Sequence, residues 1–208
     1  MARPREFDEE AALDAATAHF WSHGYEATSV RDLATSMGIT SASLYNAFGD
    51  KRGLYERALE RYVERGFRER VRRFEHHLPP REAIAAFFAE IIELSVSDPH
   101  RKGCLIVNSA MELAPHDKDF HRVLNGVLKD MQAFFLRCVS AGQKDGSIAS
   151  SLPADDIAKM LLASLMGLRV LARVNPQRAL LEGAARPVLA MIGVDTQTKR
   201  ADKRRKKA

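Results

Sequence analysis

The chain has 208 residues, of which 46% are hydrophobic and 28% are charged, and its formal net charge is +5. This composition is typical of one large or two small globular domains that bury a core without disulfide bonds. Two cysteines, an N-terminus (MARPREFDEE) without an apolar stretch and no apolar run of about 20 residues argue against a disulfide framework, a secretory signal and a membrane span, so a cytoplasmic protein is expected.

The basic charge is concentrated at the C-terminal end of the chain. Residues 199–208 contain seven Lys or Arg and one Asp, a charge of +6, which leaves −1 for the rest of the chain. Residues 194–208 are therefore predicted to be a basic disordered tail. Residues 1–50 contain three Arg and eight Asp or Glu, an acidic balance that departs from the basic surface of a typical DNA-binding protein. Of these arginines, Arg3 and Arg5 precede the first helix and can reach a minor groove or a DNA backbone.

A first helix is predicted from about Asp8 to His23, because its apolar residues recur at helical spacing. The sequence TSVRDLATSMGITSASLYNAFGDK then predicts two short helices joined by a tight turn. Thr28 or Ser29 can cap the first of them and Gly38 can end it.

The second short helix, capped by Thr40 or Ser41, carries small polar side chains on its outer face. A helix that enters a major groove about 12 Å wide must be slim. The pair is therefore interpreted as a helix–turn–helix that reads DNA, the alternative being an ordinary corner of two capped helices.

The pattern L-A-x-x-x-G-I-T-x-x-x-L-Y-x-x-F-x-x-K, from Leu33 to Lys51, resembles the TetR family of bacterial transcriptional repressors, and the likeness covers about residues 8–60. The resemblance implies an all-helical homodimer whose N-terminal domain binds operator DNA and whose C-terminal domain binds a small inducer. It also implies that the DNA contacts come from Thr28, Arg31, Thr40, Ser41, Ser43, Tyr45, Asn46 and Lys51. Of these, Thr40, Ser43 and Asn46 are expected nearest the base edges.

The rest of the chain predicts further helices and no strands, about nine helices in all, which makes the fold class all-α. The fourth helix, from about Lys51 to Phe74, alternates Glu and Arg on its surface, as a long solvated helix between two domains does. The predicted organisation is a three-helix DNA-binding domain at residues 1–50, a helical ligand-binding and dimerisation domain at residues 51–193, and the tail. The fourth helix, joining the first two, is the expected lever between them.

The eighth and ninth helices, from about Pro153 to Val174 and then to about Ile192, are apolar on most sides. A helix of this kind needs partners on most sides. Burial within one subunit is one explanation, and a four-helix dimer interface, as the family resemblance implies, is the other. The residues predicted for the interface are Leu161, Leu165, Leu168, Leu181, Val188 and Leu189.

The middle helices are expected to enclose an apolar ligand cavity with a few polar anchors. Ordinary core packing is the competing explanation for each apolar position. The candidate lining residues are Phe87, Phe88, Ile91, Cys104, Leu105, Asn108, Met111, Phe134, Met160 and Ser164.

Cys104 lies at the start of a predicted helix, just after Arg101 and Lys102. A helix N-terminus and nearby cations favour the reactive thiolate, so a cysteine switch is one hypothesis for this residue. Some relatives in the family sense electrophiles or oxidants through a cysteine in a similar stretch. The alternative is a buried cysteine that acts as a small hydrophobe, which is also how Cys138 is interpreted.

Metal and enzyme chemistry have little support in the sequence. His19 and His23 have the spacing of a metal pair but lack the glutamate of a zinc-protease helix. A second polar group is interpreted as capping and charging a helix rather than binding metal: His116, Asp117, Asp119 and His121. No phosphate loop, Cys-x-x-Cys pair or nucleophile elbow occurs, so no metal, cofactor or enzymatic activity is expected.

The sequence therefore predicts a DNA-binding transcriptional regulator, a repressor that leaves a palindromic operator when a small-molecule inducer binds or a cysteine is modified. Its expected partners are double-stranded operator DNA, a second copy of the chain and an inducer of unknown identity, with no membrane. One alternative is a non-specific nucleic-acid-binding protein that uses the basic tail. Another is an enzyme or carrier that uses the C-terminal cavity.

Overall fold

The computed structural model describes residues 7–195, and over that range the chain forms helices and no strands. The predicted all-α fold class is confirmed. The helices are α1 Glu9–His23, α2 Val30–Met37, α3 Ser41–Phe48, α4 Lys51–Val63 continued through a π-helical turn at Glu64–Arg68 into Glu69–His77, α5 Pro80–Val96, α6 Leu105–Glu112, α7 Lys118–Asp145, α8 Ala154–Val174 and α9 Arg178–Met191. None of these helices is long and apolar enough to cross a membrane.

The chain divides into two compact units, and the division differs from the predicted one at residue 50. Within the described residues, the head unit comprises residues 7–69 together with Cys104–Leu124, and the body unit comprises Arg70–Gly103 together with residues 125–195. Thus α6 and the first turns of α7 pack with the N-terminal helices. Sequence periodicity could not reveal this, because it identifies helices and not their neighbours. Arg3, Arg5 and the predicted tail from residue 196 lie outside the described residues.

An aromatic cluster forms the centre of the head unit. Tyr55 of α4 is fully buried, and its ring lies 4.7 Å from Phe20, 4.9 Å from Tyr25 and 5.5 Å from Phe120, centroid to centroid, each in an edge-on geometry. Edge-to-face aromatic pairs add about 0.5–1.5 kcal/mol beyond the burial of their area. The cluster joins α1, α4 and the start of α7 around one ring.

A second aromatic cluster forms part of the core of the body unit. Phe87 and Phe88 of α5 pack against Phe134 and Phe135 of α7, with ring centroids 5.3 Å apart for Phe87–Phe134 and 6.0 Å apart for Phe88–Phe135. All four side chains are buried. The helices α5, α8 and α9 also contact one another within this unit.

Candidate nucleic-acid interface

The turn between α2 and α3 is fixed by local hydrogen bonds. Ser29 begins α2 with a reciprocal cap, in which its hydroxyl accepts from the Asp32 N–H at 3.2 Å and the Asp32 carboxylate accepts from the Ser29 N–H at 3.0 Å. Gly38 ends α2 with a left-handed φ of 66°, a conformation that costs glycine little. Thr40 then caps α3 by accepting from the Ser43 N–H at 3.1 Å. Two residues thus separate the end of one helix from the cap of the next.

The helix α3 has one buried face and one exposed polar face. Leu44 and Phe48 are buried and hold the helix to the head unit. On the other side Tyr45 is 50% exposed, and Asn46 is exposed as well. A half-exposed tyrosine and a free amide are groups that stack, donate and accept, so this face can bind a polar surface.

The structure places most of the predicted DNA-contacting residues on the surface. Five of them are exposed and two are half-buried; the exposed ones are Arg31, Thr40, Ser41, Tyr45 and Asn46, and the half-buried ones are Ser43 and Lys51. The hydroxyls of Thr40 and Ser43 lie 2.9 Å apart and bond to each other. The ammonium of Lys51 lies 4.2 Å from the centroid of the Tyr25 ring, a cation–π contact that fixes its position at the start of α4.

Thr28 is an exception, and its prediction as a DNA contact is corrected. Its side chain is only 2% exposed, and its hydroxyl donates to the Gly24 carbonyl at 2.7 Å. The capping role that the sequence divided between Thr28 and Ser29 belongs to Ser29. Thr28 therefore stabilises the loop that leads into α2, and its buried side chain is not accessible to DNA.

The acidic residues of the first helix are paired with arginines of α4. Asp14 accepts from Arg61 Nη2 at 2.9 Å and from Arg65 Nη1 at 2.8 Å, and Glu9 lies 2.5 Å from Arg57 Nη2. Arg61 also bonds Glu10. Hydrogen bonds from Arg61 lower the pKa of Asp14 below its ordinary value. The negative charges of α1 are thus neutralised by arginines of α4, which lie beyond residue 50 in the sequence.

A segment distant in sequence holds the loop between α1 and α2. The Glu112 carboxylate, at the end of α6, accepts from the Tyr25 N–H at 3.2 Å and from the Glu26 N–H at 2.8 Å. Gly24 precedes these amides with a φ of 85°, and a Cβ there would lie 3.1 Å from both carboxylate oxygens. Because both partners of Glu112 are main-chain amides, no residue type in the sequence marks this contact.

Two further contacts attach α6 and α7 to α4. Arg52 binds Asp117 through two hydrogen bonds of 2.6 and 3.1 Å, and the Tyr55 hydroxyl lies 2.6 Å from that of Ser109 in α6. Hydrogen bonds from Arg52 and from the backbone of α7 lower the pKa of Asp117 to about 2. Asp117 accepts from the N–H groups of Asp119 and Phe120, which is the capping role predicted for it.

The two cysteines have different surroundings. Cys104 lies directly before α6 and is buried, and the Tyr62 hydroxyl donates to its sulfur at 3.7 Å. Cys138, in the middle of α7, is also buried, and burial raises the pKa of its thiol to about 12. Cys138 therefore fits the core role predicted for it.

The predicted ligand-lining residues fall into both units. Four of them lie in the head unit and six in the body unit: Cys104, Leu105, Asn108 and Met111 in the first, and Phe87, Phe88, Ile91, Phe134, Met160 and Ser164 in the second. Two need correction as interior residues of the single chain, because Met111 is 77% exposed and Met160 is 43% exposed. In the body unit the phenylalanines pack against one another.

The six residues predicted for a dimer interface are buried within the single chain, so they serve the core of the body unit: Leu161, Leu165, Leu168, Leu181, Val188 and Leu189. Helical periodicity identified apolar positions without separating the inner face from the outer one. The large apolar side chains that stay exposed on α8 and α9 are Met160, Val170, Leu171, Val174 and Leu180.

The paired histidines of α1 interact with each other. The rings of His19 and His23 stack with centroids 4.3 Å apart, and His23 Nδ1 lies 3.0 Å from the His19 carbonyl oxygen. Burial lowers the pKa of His19. Within residues 7–195 no three His, Cys, Asp or Glu side chains are grouped as ligands for a metal ion.

Known proteins resemble the chain over most of its length. Residues 12–58 match the family model of bacterial regulatory proteins of the tetR family, and residues 80–188 match the tetracyclin repressor-like C-terminal domain. The chain is 31% identical over 172 residues to the HTH-type transcriptional repressor ComR of Escherichia coli (strain K12), with 82% of each protein covered. It is 34% identical over 180 residues to YezE, an uncharacterized HTH-type transcriptional regulator of Bacillus subtilis (strain 168), with 84% of this chain and 91% of YezE covered.

A solved structure has the same fold. It is a cysteine mutant of the TetR family transcriptional regulator CifR complexed with 26-bp double-strand operator DNA. The TM-score is 0.81 at 30% identity, with 91% of this chain and 98% of that chain covered. Family models that together span both the N-terminal and the C-terminal helices, and relatives aligned over most of their length, agree on one assignment. The chain belongs to the TetR family of DNA-binding transcriptional regulators, and it is a regulator rather than an enzyme.

Proposed function

We propose that the protein is a homodimeric repressor that binds a palindromic operator with two copies of α3 and leaves it when a small-molecule effector binds. The observation that carries the proposal is the two-sided character of α3. Leu44 and Phe48 anchor one side in the head unit, while Tyr45 and Asn46 are exposed on the other. A narrow helix with exposed polar groups suits a major groove, where Asn pairs with adenine and hydroxyls bond bases and phosphates.

A dimer is supported by exposed apolar side chains on α8 and α9. Val170, Leu171 and Val174 of α8 and Leu180 of α9 remain exposed in the single chain, and the neighbouring Gly167 leaves room for a second helix to approach. Apolar surface of this kind is a mark of an interface. A two-fold dimer would present its recognition helices one DNA turn apart, about 34–36 Å, and so would favour a palindrome.

The head unit contains a route by which an effector can act on α3. The chain passes from Gly103 of the body unit directly to Cys104 of the head unit, where α6 begins. At the far end of α6, Glu112 binds the two amides of the loop that leads into α2. Movement of α6 would therefore displace the helix–turn–helix, in addition to the lever role predicted for α4. An effector acts this way only if it binds the released state more tightly.

Modification of Cys104 is a second candidate signal. The sulfur lies before the first turn of α6 and accepts a hydrogen bond from the Tyr62 hydroxyl at 3.7 Å. A bulky adduct on a buried sulfur at this position would displace the start of the same helix that ends in Glu112.

Operator recognition can be tested by fluorescence anisotropy with the purified full chain. The probes are a duplex selected from random DNA and its scrambled counterpart. We expect the selected duplex to bind about 10³-fold more tightly, the lower range for specific recognition. Asn46→Ala should raise Kd for the selected duplex by about 10- to 100-fold, because one base contact is lost. Ser140→Ala, an exposed hydroxyl of α7, should leave Kd unchanged and serves as the control.

Two results would overturn the proposal. One is equal affinity for the selected and scrambled duplexes, and the other is a monomeric chain at micromolar concentration in sedimentation. If removal of residues 196–208 abolished binding to both duplexes alike, the basic-tail alternative would replace it.

A further inference from the structure

A buried arginine in the body unit has no carboxylate partner among the described residues. Arg169 of α8 is only 8% exposed. Its Nη1 donates to the Ser95 hydroxyl at 2.6 Å, and its Nη2 donates to the Gly103 carbonyl. The Ser95 hydroxyl donates in turn to the Ile91 carbonyl at 2.7 Å, so it can only accept from Arg169. Both acceptors are neutral, and three of the five guanidinium N–H groups have no protein acceptor within the described part of the chain.

The acidic groups nearest in sequence to these contacts are bound elsewhere. Glu90 and Glu93 lie on α5, the helix that carries Ser95, and Glu90 binds Arg70 and Arg73 while Glu93 binds Arg178 at 2.7 Å. Asp98, in the loop after α5, accepts from the N–H groups of His100 and Lys102 at 3.1 and 2.7 Å. None of these carboxylates balances the guanidinium.

A second arginine, Arg173, lies one helical turn further on and is exposed. Arg173 donates from Nη1 to the Lys102 carbonyl at 3.3 Å and, among residues 7–195, has no carboxylate partner. Its side chain lies against Gly103, where a Cβ would come within 3.3 Å of the Arg173 Cδ. Two like charges at i and i+4 repel each other, and here they donate to the carbonyls of two successive residues, so a bound anion would offset their repulsion.

We propose that Arg169, supported by Arg173, is the anchor for an anionic group of the effector, and that this effector is a carboxylate with an apolar body. A carboxylate supplies the missing charge and two acceptors that match the guanidinium fork. The apolar body is inferred from positions along the two helices: Ile91 lies one turn before Ser95 on α5, Leu165 and Leu168 precede Arg169 on α8, and all three are buried. This inference rests on the proposed release of the repressor by a small molecule.

The first test compares stability without any ligand. An uncompensated buried charge destabilises the protein, so Arg169→Gln should leave Tm unchanged or raise it. The matched control is Arg70→Gln, which removes an arginine whose side chain is 11% exposed and which binds Glu90 at 2.9 Å. That variant should lower Tm because Glu90 loses the more buried of its two arginine partners and keeps only Arg73. A loss of Tm in Arg169→Gln as large as that in Arg70→Gln would mean that Arg169 is structural, and the inference would be wrong.

The second test adds a probe of the proposed class. Octanoate, at a concentration about 100-fold above its Kd, should raise Tm of the wild-type dimer by about 5 °C. Octanamide, its neutral counterpart, should not, and Arg169→Gln should respond to neither. No response of the wild type to octanoate, or an equal response in Arg169→Gln, would overturn the inference. If the wild type still distinguishes its operator from scrambled DNA, the proposed function stands independently of that outcome.

Discussion

Most arginines described in the two units are ion-paired, including Arg70 and Arg178 of the body unit, and Arg169 of the body unit is the contrast to them. In the head unit, Arg61 and Arg65 both bind Asp14, and Arg52 binds Asp117 through two hydrogen bonds. In the body unit, the buried Arg169 has only neutral acceptors within residues 7–195. A paired arginine joins two helices, and its removal lowers the stability of the fold. A buried arginine without a counter-charge itself lowers stability, so the packing of the fold gives no reason for its presence. The difference separates charges that hold the fold from a charge that is available to a ligand.

The largest difference between the units is expected for their cysteines. Alkylation of the folded protein with a mass-tagged thiol reagent should label Cys104 of the head unit at least about tenfold faster than Cys138 of the body unit, because the thiolate is the reactive species. Burial raises the pKa of Cys138 to about 12, so it holds very little thiolate at neutral pH. Peptide mass spectrometry gives both rates in one experiment, with Cys138 as the internal control. Equal rates would rule out Cys104 as a switch.

Removal of a paired arginine from the head unit tests the structural side of the comparison. Arg61→Met should lower the free energy of unfolding by about 1–2 kcal/mol, since it leaves Asp14 and Glu10 without a main partner. Urea titration measures the change, and Lys129→Gln, an exposed side chain of α7, should change it by less than about 0.5 kcal/mol. An effect of Arg61→Met no larger than that of the control would show that the α1–α4 ion pairs contribute nothing measurable.

Glu112 tests whether α6 acts on the helix–turn–helix. Glu112→Ala should raise Kd for the operator about tenfold, equivalent to about 1.4 kcal/mol, because the Tyr25 and Glu26 amides lose a charged acceptor and the loop before α2 is no longer held. Glu112→Gln keeps an acceptor oxygen, so its Kd should lie between those of the wild type and Glu112→Ala. Anisotropy titration checks both variants. Unchanged affinity in Glu112→Ala would remove α6 from the proposed route.

The smallest expected effect is a difference between the wild type and Asp117→Asn in how far Tm falls on acidification. The pKa of Asp117 in the folded protein is lowered to about 2 from an ordinary 3.8, so its contribution to stability is complete above about pH 5 and is lost as pH falls toward 2. Asp117→Asn has no carboxylate at this position, so this pH-dependent contribution is absent from it at every pH. Its Tm should therefore fall less than that of the wild type between pH 5 and pH 3 in calorimetry. An identical fall in both proteins would contradict the role of the Arg52–Asp117 pair.

Local features of the fold were predictable from sequence because they depend on neighbouring residues. Gly38 ends α2 and Thr40 caps α3, each through groups no more than four residues away. Long-range features were not. The bond from Glu112 to the Glu26 amide spans 86 residues and uses a main-chain group that every residue carries, so no residue type marks it.

The same distinction between local and long-range features explains why some residues have a different role in the structure from the one predicted. Thr28 has a side chain suited to DNA, but the loop turns its hydroxyl inward to Gly24. Leu161 and Leu165 have the apolar character of an interface, but they face the core of their own unit. Arg169 lies within a mostly apolar helix, and its neutral acceptors, Ser95 and the Gly103 carbonyl, become visible only when the packing of α5, α8 and the loop at Gly103 is known.

The contact between Glu112 and the two loop amides can be followed directly by hydrogen exchange. Amide protons bound to a carboxylate exchange slowly with solvent deuterium, whereas those of an open loop exchange fast. The amide signals of Tyr25 and Glu26 should thus report whether α6 is docked, without DNA and without knowledge of the effector. A library of metabolites can then be screened by following two resonances rather than gene expression.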